Sequence, residues 1–500
     1  MLAFATKNSQ GLKYLKFAAI LLSISFIAVL YGLLASLGDP IKTVLGAGLL
    51  IGLVLLFLPK QVVWLVLVIG FVFGILSANP LLSKLAWVVS GFSMLLMVPS
   101  LQNMMWTSKN KAPLFLKLAL LLMLYTVLVS IVQWYSATEF VAGFKRYFQS
   151  FGLMMALTLI AFQIKDYKQW FIFLLVVGLL QFPFALYQLL VLVPQRGGLE
   201  LSSETTDVIA GTFGANLQGG SPNSVMVIYL FMVLSFLVAR WRLKLIKNNV
   251  FYMLTFICLL PIGMGETKIA VIMLPIVGFI LLRKDFVKSP LKFLLSILVI
   301  ALLTSALAHL YITVIMGSSF GDVINSTLRY NVGDQGYSSG QYLNRMTSVT
   351  FWFSQNNWHE PMSFLFGNGL GSSYTSEGSL GGHIGNQYIN YGINLTAIST
   401  LLWDVGLLGC LLFISVFIAA WCAAGNLYNS VSEESVKADA LAIQASISLF
   451  FLSMFYSDSI VNLISMELIY AIVLGYLGYL LNRNDLIGNS INTRRARKKS

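Results

Sequence analysis

LFLKLALLLMLYTVLVSIVQWY, residues 114–135, carries one charged side chain, Lys117, and neither proline, glycine nor acid. As a helix, a stretch of this length and polarity can cross roughly 30 Å of hydrocarbon. Lipid offers no water to a bare backbone, so such a stretch crosses as a helix. Similar runs recur near 17–38, 43–59, 62–78, 85–101, 147–163, 169–193, 222–240, 249–264, 268–283, 291–316, 396–421, 440–459 and 462–481. Hydrophobic residues make up 58% of the chain and charged residues 10%, against about 25% charged in soluble domains. The expected fold is therefore all-α: a polytopic membrane protein of about 14 transmembrane helices.

Charge orients that expectation. With the N-terminus inside, most of the 32 Lys and Arg fall in inner segments, from Lys7, Lys13 and Lys16 to Arg240, Arg242, Lys244, Lys247, Arg283 and the tail RRARKKS (494–500). The positive-inside rule predicts such an excess, and an even number of spans places both termini in the cytoplasm. The net charge of +13 is thus a topology signal and calls for no nucleic acid. A basic tail beside an anionic inner leaflet accounts for RRARKKS. Cys258, Cys410 and Cys422 lie in or at the ends of spans and form neither a disulfide framework nor a metal-binding spacing. No metal and no cofactor are expected.

The organisation that follows is spans 1 to 11 over residues 1–317, an outer segment over 318–395, spans 12 to 14 over 396–482 and a basic cytoplasmic tail over 483–500. The outer segment is polar and rich in glycine and aromatic residues. In QYLNRMTSVTFWF (341–353), Leu343, Met346, Val349 and Phe353 recur at helical spacing, which fits a short amphipathic helix on the membrane surface. Its tyrosines and tryptophans suit a membrane interface and equally suit sugars, whose apolar faces stack on rings.

Topology selects against cations on the outer side, so those that remain are informative. Lys42, Lys84, Lys145, Arg146, Arg196, Lys268, Arg329 and Arg345 fall there. An arginine near the outer leaflet can clamp phosphate with a planar fork. Such cations can also pair with Glu266, Asp322 or Asp334, or snorkel to headgroups. Two or more acting together on an anion is the expectation. His359 and His383 share the outer segment, and a neutral imidazole there can take a proton from a hydroxyl. His383, in GGHIGNQYINYG (381–392) with Asn386 beside it, is the stronger candidate base.

Four phrases carry a family resemblance: GTFGANLQGGSPNSVMVIYL (211–230), GMGETKIAVI (263–272), FLFGNGLGSS (364–373) and STLLWDVGLLGCLLF (399–413). In this order they resemble the O-antigen ligase and O-antigen polymerase superfamily of polysaccharide-assembly membrane proteins, over roughly residues 130–480. The resemblance implies a metal-independent glycosyltransferase of the bacterial inner (plasma) membrane, with its site facing the periplasm or outside. The donor would be an undecaprenyl-diphosphate-linked oligosaccharide. Partners would include membrane lipids, a chain-length regulator and a flippase.

By matched position Lys268 falls where the family carries a basic residue, and Asp404 falls in the acidic place before Gly406 and Gly409. His383, Arg345 and Lys268 are the candidate catalytic residues. Arg146, Arg196, Arg329, Glu266, His359, Asn386 and Asp404 are the candidate substrate contacts. Ligases carry a His about a dozen residues before the Gly-x-x-Gly phrase. Counting back from Gly406 reaches Asn394 or Leu395 here, with His383 a further eleven residues upstream. Polymerase is therefore expected over ligase. A lipid-linked-oligosaccharide flippase, and a scaffold without catalytic activity, are the alternatives of other classes.

Overall fold

The computed structural model describes residues 57–72, 85–106, 111–195, 208–215, 222–265, 269–291, 343–356, 361–375 and 381–497, with isolated positions between them. Every regular element among the described residues is helical. The chain divides into the units Met1–Leu65 and Val66–Ser500, and the helices of span length belong to the second. In chain order the helices are α1 Pro59–Val72, α2 Leu85–Leu95, α3 Met97–Trp106, α4 Leu114–Val132, α5 Ala137–Phe148, α6 Phe151–Leu159 and α7 Ile164–Tyr187. Then come α8 Asn223–Arg242, α9 Asn248–Met264, α10 Ile269–Lys288, α11 Thr347–Gln355, α12 Pro361–Phe366 and α13 His383–Gln387. The chain continues through α14 Ala397–Ser430, α15 Glu434–Tyr456, α16 Ser459–Asn462 and α17 Ile464–Arg497.

Among the described residues seven helices are long and apolar enough to cross a membrane: Trp87–Met105, Leu114–Val132, Ile164–Gln195, Asn223–Arg242, Ala397–Ser430, Glu434–Tyr456 and Ile464–Asn484. Each coincides with an expected span. Those expected at 62–78, 249–264 and 268–283 appear as the shorter apolar helices α1, α9 and α10. Those expected at 17–38, 43–59 and 291–316 lie wholly or largely outside the described residues.

The run at 147–163 is built differently from expectation. Helix starts earlier, at Ala137, and breaks at Gln149–Ser150 into α5 and α6. The break has a cause in the side chains it carries. Gln149 Nε2 donates to Glu467 Oε1 at 2.6 Å and to the carbonyl of Asn462, while Ser150 Oγ reaches Glu467 Oε2. Glu467 is fully buried, and a buried carboxylate needs such donors.

The quoted stretch at 114–135 shows how the helices meet their solvent. On α4, Phe115, Leu116, Ala119, Leu122, Thr126 and Val129 are buried, while Leu114, Leu121, Leu124, Leu128 and Ile131 are all at least half exposed. An unbroken leucine stripe at helical spacing belongs against hydrocarbon. Helices α8, α15 and α17 are instead enclosed, with 78%, 78% and 83% of their apolar windows buried. Helix α15 packs on α8 and α14, α14 on α4, and α17 on α6.

The short helix expected at 341–353 forms as α11, over Thr347–Gln355, with a different buried side from the expected one. Trp352 and Ser348 are its buried anchors, whereas Met346 and Phe353 from the expected apolar stripe stay exposed.

Candidate functional site

The phrases at 364–373 and 399–413 meet face to face. Helix α14 is kinked at Gly406, whose φ is +67°. The kink releases carbonyls that a continuous helix would use internally, and the phrase at 364–373 collects them. Asn368 donates to the Trp403 carbonyl from both its backbone N–H and Nδ2, each at 3.0 Å. The Gly369 N–H reaches the Asp404 carbonyl at 2.9 Å, and Tyr125 Oη reaches that of Val405 at 3.0 Å. Contact is backbone on backbone: a Cβ on Gly406 would lie 2.5 Å from the nitrogen of Gly367, and one on Gly367 would lie 2.5 Å from that of Gly406. Both glycines have φ in the left-handed region, where a side chain is disfavoured. No other residue type fits either place.

The Asp404 side chain completes the joint. It is 1% exposed and accepts four hydrogen bonds, two per oxygen. Oδ1 takes Ser372 Oγ at 2.9 Å and the Ser373 N–H at 2.8 Å; Oδ2 takes Tyr147 Oη at 3.0 Å and the Gly371 N–H at 3.1 Å. A carboxylate has about four lone-pair sites, so protein donors fill this one. Asp404 organises the loop at 367–374 and ties it to α5 through Tyr147.

Helix α5 lies along the same loop. Ser136 caps it by accepting from the Glu139 N–H at 3.2 Å. Glu139, Gly143 and Arg146 fall at i, i+4 and i+7, on one face. Gly143 lets the loop approach, since a Cβ there would sit 2.4 Å from the carbonyl carbon of Leu370. One end of the face holds a carboxylate–imidazole pair. Both oxygens of Glu139, a residue 6% exposed, lie 3.0 Å from His383 Nδ1, and Glu139 Oε2 also accepts the His383 backbone N–H at 2.8 Å. The imidazole stacks on Tyr135, with ring centroids 4.4 Å apart. A carboxylate at Nδ1 keeps the proton there and leaves Nε2 as the acceptor nitrogen. Nε2 has no hydrogen-bond partner among the described residues.

The other end of the face holds a cation. The Arg146 guanidinium lies over the Tyr374 ring, 3.2 Å from its centroid. Its Nη1 is buried without a hydrogen-bond partner, and it forms no ion pair among the described residues. Asp404 and Asp458 both act on it electrostatically. Asp458 lies in the link between α15 and α16, where burial raises its carboxyl to about 6 against the lowering effects of Asn462 and Arg146. Arg345 binds at Tyr456, the last residue of α15 before that link. Its Nε donates to the Tyr456 carbonyl at 2.6 Å, its guanidinium lies 4.1 Å from the centroid of the Tyr456 ring, and Nη1 bonds Asn331. Lys145, next to Arg146, points elsewhere, over Trp87, as consecutive helical residues do.

The fold thus brings Arg146, His383 and Asp404 around one loop, with Arg345 at the neighbouring link. Asn386 is exposed on α13. Arg196, Glu266, Lys268, Arg329 and His359 lie outside the described residues. The sequence offers Tyr374 only as one of the aromatic rings of the outer segment and does not single out Glu139, Tyr147, Ser372 or Ser373. Glu139 had a signal: Ser136-x-x-Glu139 has the form of a capping box and opens the face shared with Arg146. No protein-family model matches the chain, and no curated protein matches it.

Proposed function

We propose that this membrane protein is a polysaccharide polymerase, transferring a glycan from undecaprenyl diphosphate to a hydroxyl of an acceptor repeat unit. In this reading fourteen spans place both termini in the cytoplasm, and the Asp404 end of the helices opens at the outer face of a bacterial inner membrane. The observation that carries it is the arrangement on α5, with an oriented imidazole at one end of a face and an arginine without an ion pair at the other. Glu139, which orients the imidazole, and Arg146 stand seven residues apart on that face. The family resemblance of the two phrases joined at Gly367 and Gly406 supports the same chemistry.

In the reaction, His383 Nε2 takes the acceptor hydroxyl proton as that oxygen attacks the anomeric carbon. Glu139 holds Nδ1–H and stabilises the imidazolium that forms. The bond from the anomeric carbon to the diphosphate oxygen breaks, and the lipid diphosphate leaves with the electron pair. Arg146 meets the charge developing on that group, with Arg345 nearby at Tyr456. His383 then returns its proton to water. Asp404, filled by protein donors, positions the loop and touches no substrate.

Ligase is the second reading, and one observation favours it. His383 folds back onto the loop, where the Gly385 N–H donates to the Ser372 carbonyl at 2.7 Å, so its distance in sequence from Gly406 is no bar to acceptor activation. Complementation of polymerase-null and ligase-null cells, with glycan lengths read on a gel, separates the two. Restoration of a ladder in the polymerase-null strain is the expected result. Restoration of glycan capping in the ligase-null strain assigns ligase instead. Substrate trapped on the inner leaflet with normal transfer chemistry overturns both in favour of a flippase.

A further inference from the structure

We propose a second binding site, for one anionic phospholipid, at the Arg240 end of the helices. A cavity of about 290 Å³ opens there between α7, α8, α9 and α17, walled by Phe171, Leu174, Leu237, Leu254 and Ile472 among other apolar side chains. Its size is near the lower end of the ~300–1,000 Å³ typical of ligand pockets. Arg240 is the one charged residue in the wall, and it is already committed. It grips Asp439 with Nε at 2.9 Å and Nη2 at 3.0 Å, and Tyr476 Oη adds a third bond to the same carboxylate at 2.7 Å. The interior therefore fits a hydrocarbon chain and offers nothing to a polar ligand.

The mouth has the opposite character. Lys168 stands one helical turn before the lining residue Phe171 on α7, where residues three apart share a face, and Lys247 directly follows the lining residue Ile246, just before α9 begins. In this proposal both lysines lie at the rim, on the side where α7 and α9 begin. Both are exposed. Lys247 is the residue before α9, and no side chain caps the first N–H groups of that helix; uncapped N–H groups at a helix start favour an anion. An apolar shaft under two lysines and an open helix start matches one acyl chain with its phosphate at the rim. A neutral lipid would leave the lysines unanswered, and a free phosphate would leave the shaft unfilled.

Purified full-length protein in detergent, offered equal amounts of phosphatidylglycerol and phosphatidylcholine with the same acyl chains, tests the assignment by native mass spectrometry. One phosphatidylglycerol should be retained, with a preference of about fivefold for each lysine. Lys168→Gln with Lys247→Gln should erase the preference while some lipid is still held. Val250→Trp, at a position already 42% exposed and so tolerant of size, should plug the mouth and remove both lipids. Equal retention of the two lipids by the unmodified protein overturns the proposal, as does an unchanged preference in the double glutamine variant. Undiminished phosphatidylglycerol on Val250→Trp overturns it too. Transfer activity does not enter these readouts, so failure here leaves the polymerase reading untouched.

Discussion

Two buried aspartates at opposite ends of neighbouring helices are handled in opposite ways. Asp439, in α15, is 3% exposed and faces a cation, Arg240, which holds both its oxygens. Asp404, in α14, is 1% exposed and also has a cation within electrostatic reach, Arg146, yet neutral donors fill its oxygens. One arrangement consumes its arginine in structure. The other satisfies the carboxylate with two hydroxyls and two backbone N–H groups, so the arginine keeps an unanswered N–H beside a polar loop. A buried charge costs least when paired, and the N–H left open on Arg146 beside Asp404 is the one that the proposed reaction assigns to an anion.

Substitutions can break or sharpen this contrast. The largest effect is expected from His383→Ala, which removes the proposed base: chain extension should fall by roughly 10²- to 10⁴-fold at unchanged protein level, and near-normal extension in a reconstituted assay would remove His383 from the chemistry. Arg146→Gln should reduce transfer by about 10²- to 10³-fold while thermal stability stays the same; a large drop in melting temperature would show that it is structural after all, like Arg240. Asp404→Ala orphans four buried donors and should cost at least about 3 kcal/mol, read as loss of folded protein on size exclusion. A stable, active variant would show that the loop needs no anchor.

Arg240→Gln leaves Asp439 without its charge partner. Part exposure of the arginine, 38%, trims the usual cost of a broken buried pair to roughly 2 kcal/mol. The variant should melt earlier and yet bind lipid diphosphate normally; weakened binding would contradict the contrast between the two ends.

Asp458→Asn is the smallest change. The folded carboxyl titrates near 6, above its ordinary value of 3.8, so between those values the folded protein holds more protons than the unfolded chain. Stability from this group is full below about 4 and drains as pH climbs through about 6. The asparagine variant should lose that slope in a melting-temperature series, and identical slopes would place Asp458 in contact with water.

The long apolar helices were legible because each is a run that needs no knowledge of its neighbours. Leucines of α4 read the same whether they face lipid or protein, which is why hydropathy finds the span but not its buried side. Helix α5 escaped because Glu139, Lys145 and Arg146 dilute its apolar content, and its partner loop lies more than 220 residues further on. Asp404 could be picked out beside Gly406 and Gly409, but not its role, since its donors Tyr147 and Ser372 are remote in sequence. Arg146 was found by its expected side of the membrane; that it forms no ion pair among the described residues is a fact of packing alone.

The joint at Gly406 also sets an order of assembly. Tyr147 waits 257 residues for Asp404, and the loop at 371–373 waits more than thirty. Chains emerge from the ribosome N-terminus first, so the early helices can insert long before the carboxylate that gathers them exists. Until residue 404 has been made, the donors of the loop have no acceptor and the imidazole and the guanidinium have no fixed separation. A truncated or half-synthesised chain can therefore occupy the membrane without an assembled site. Synthesis through residue 404 is itself the step that lets the loop gather.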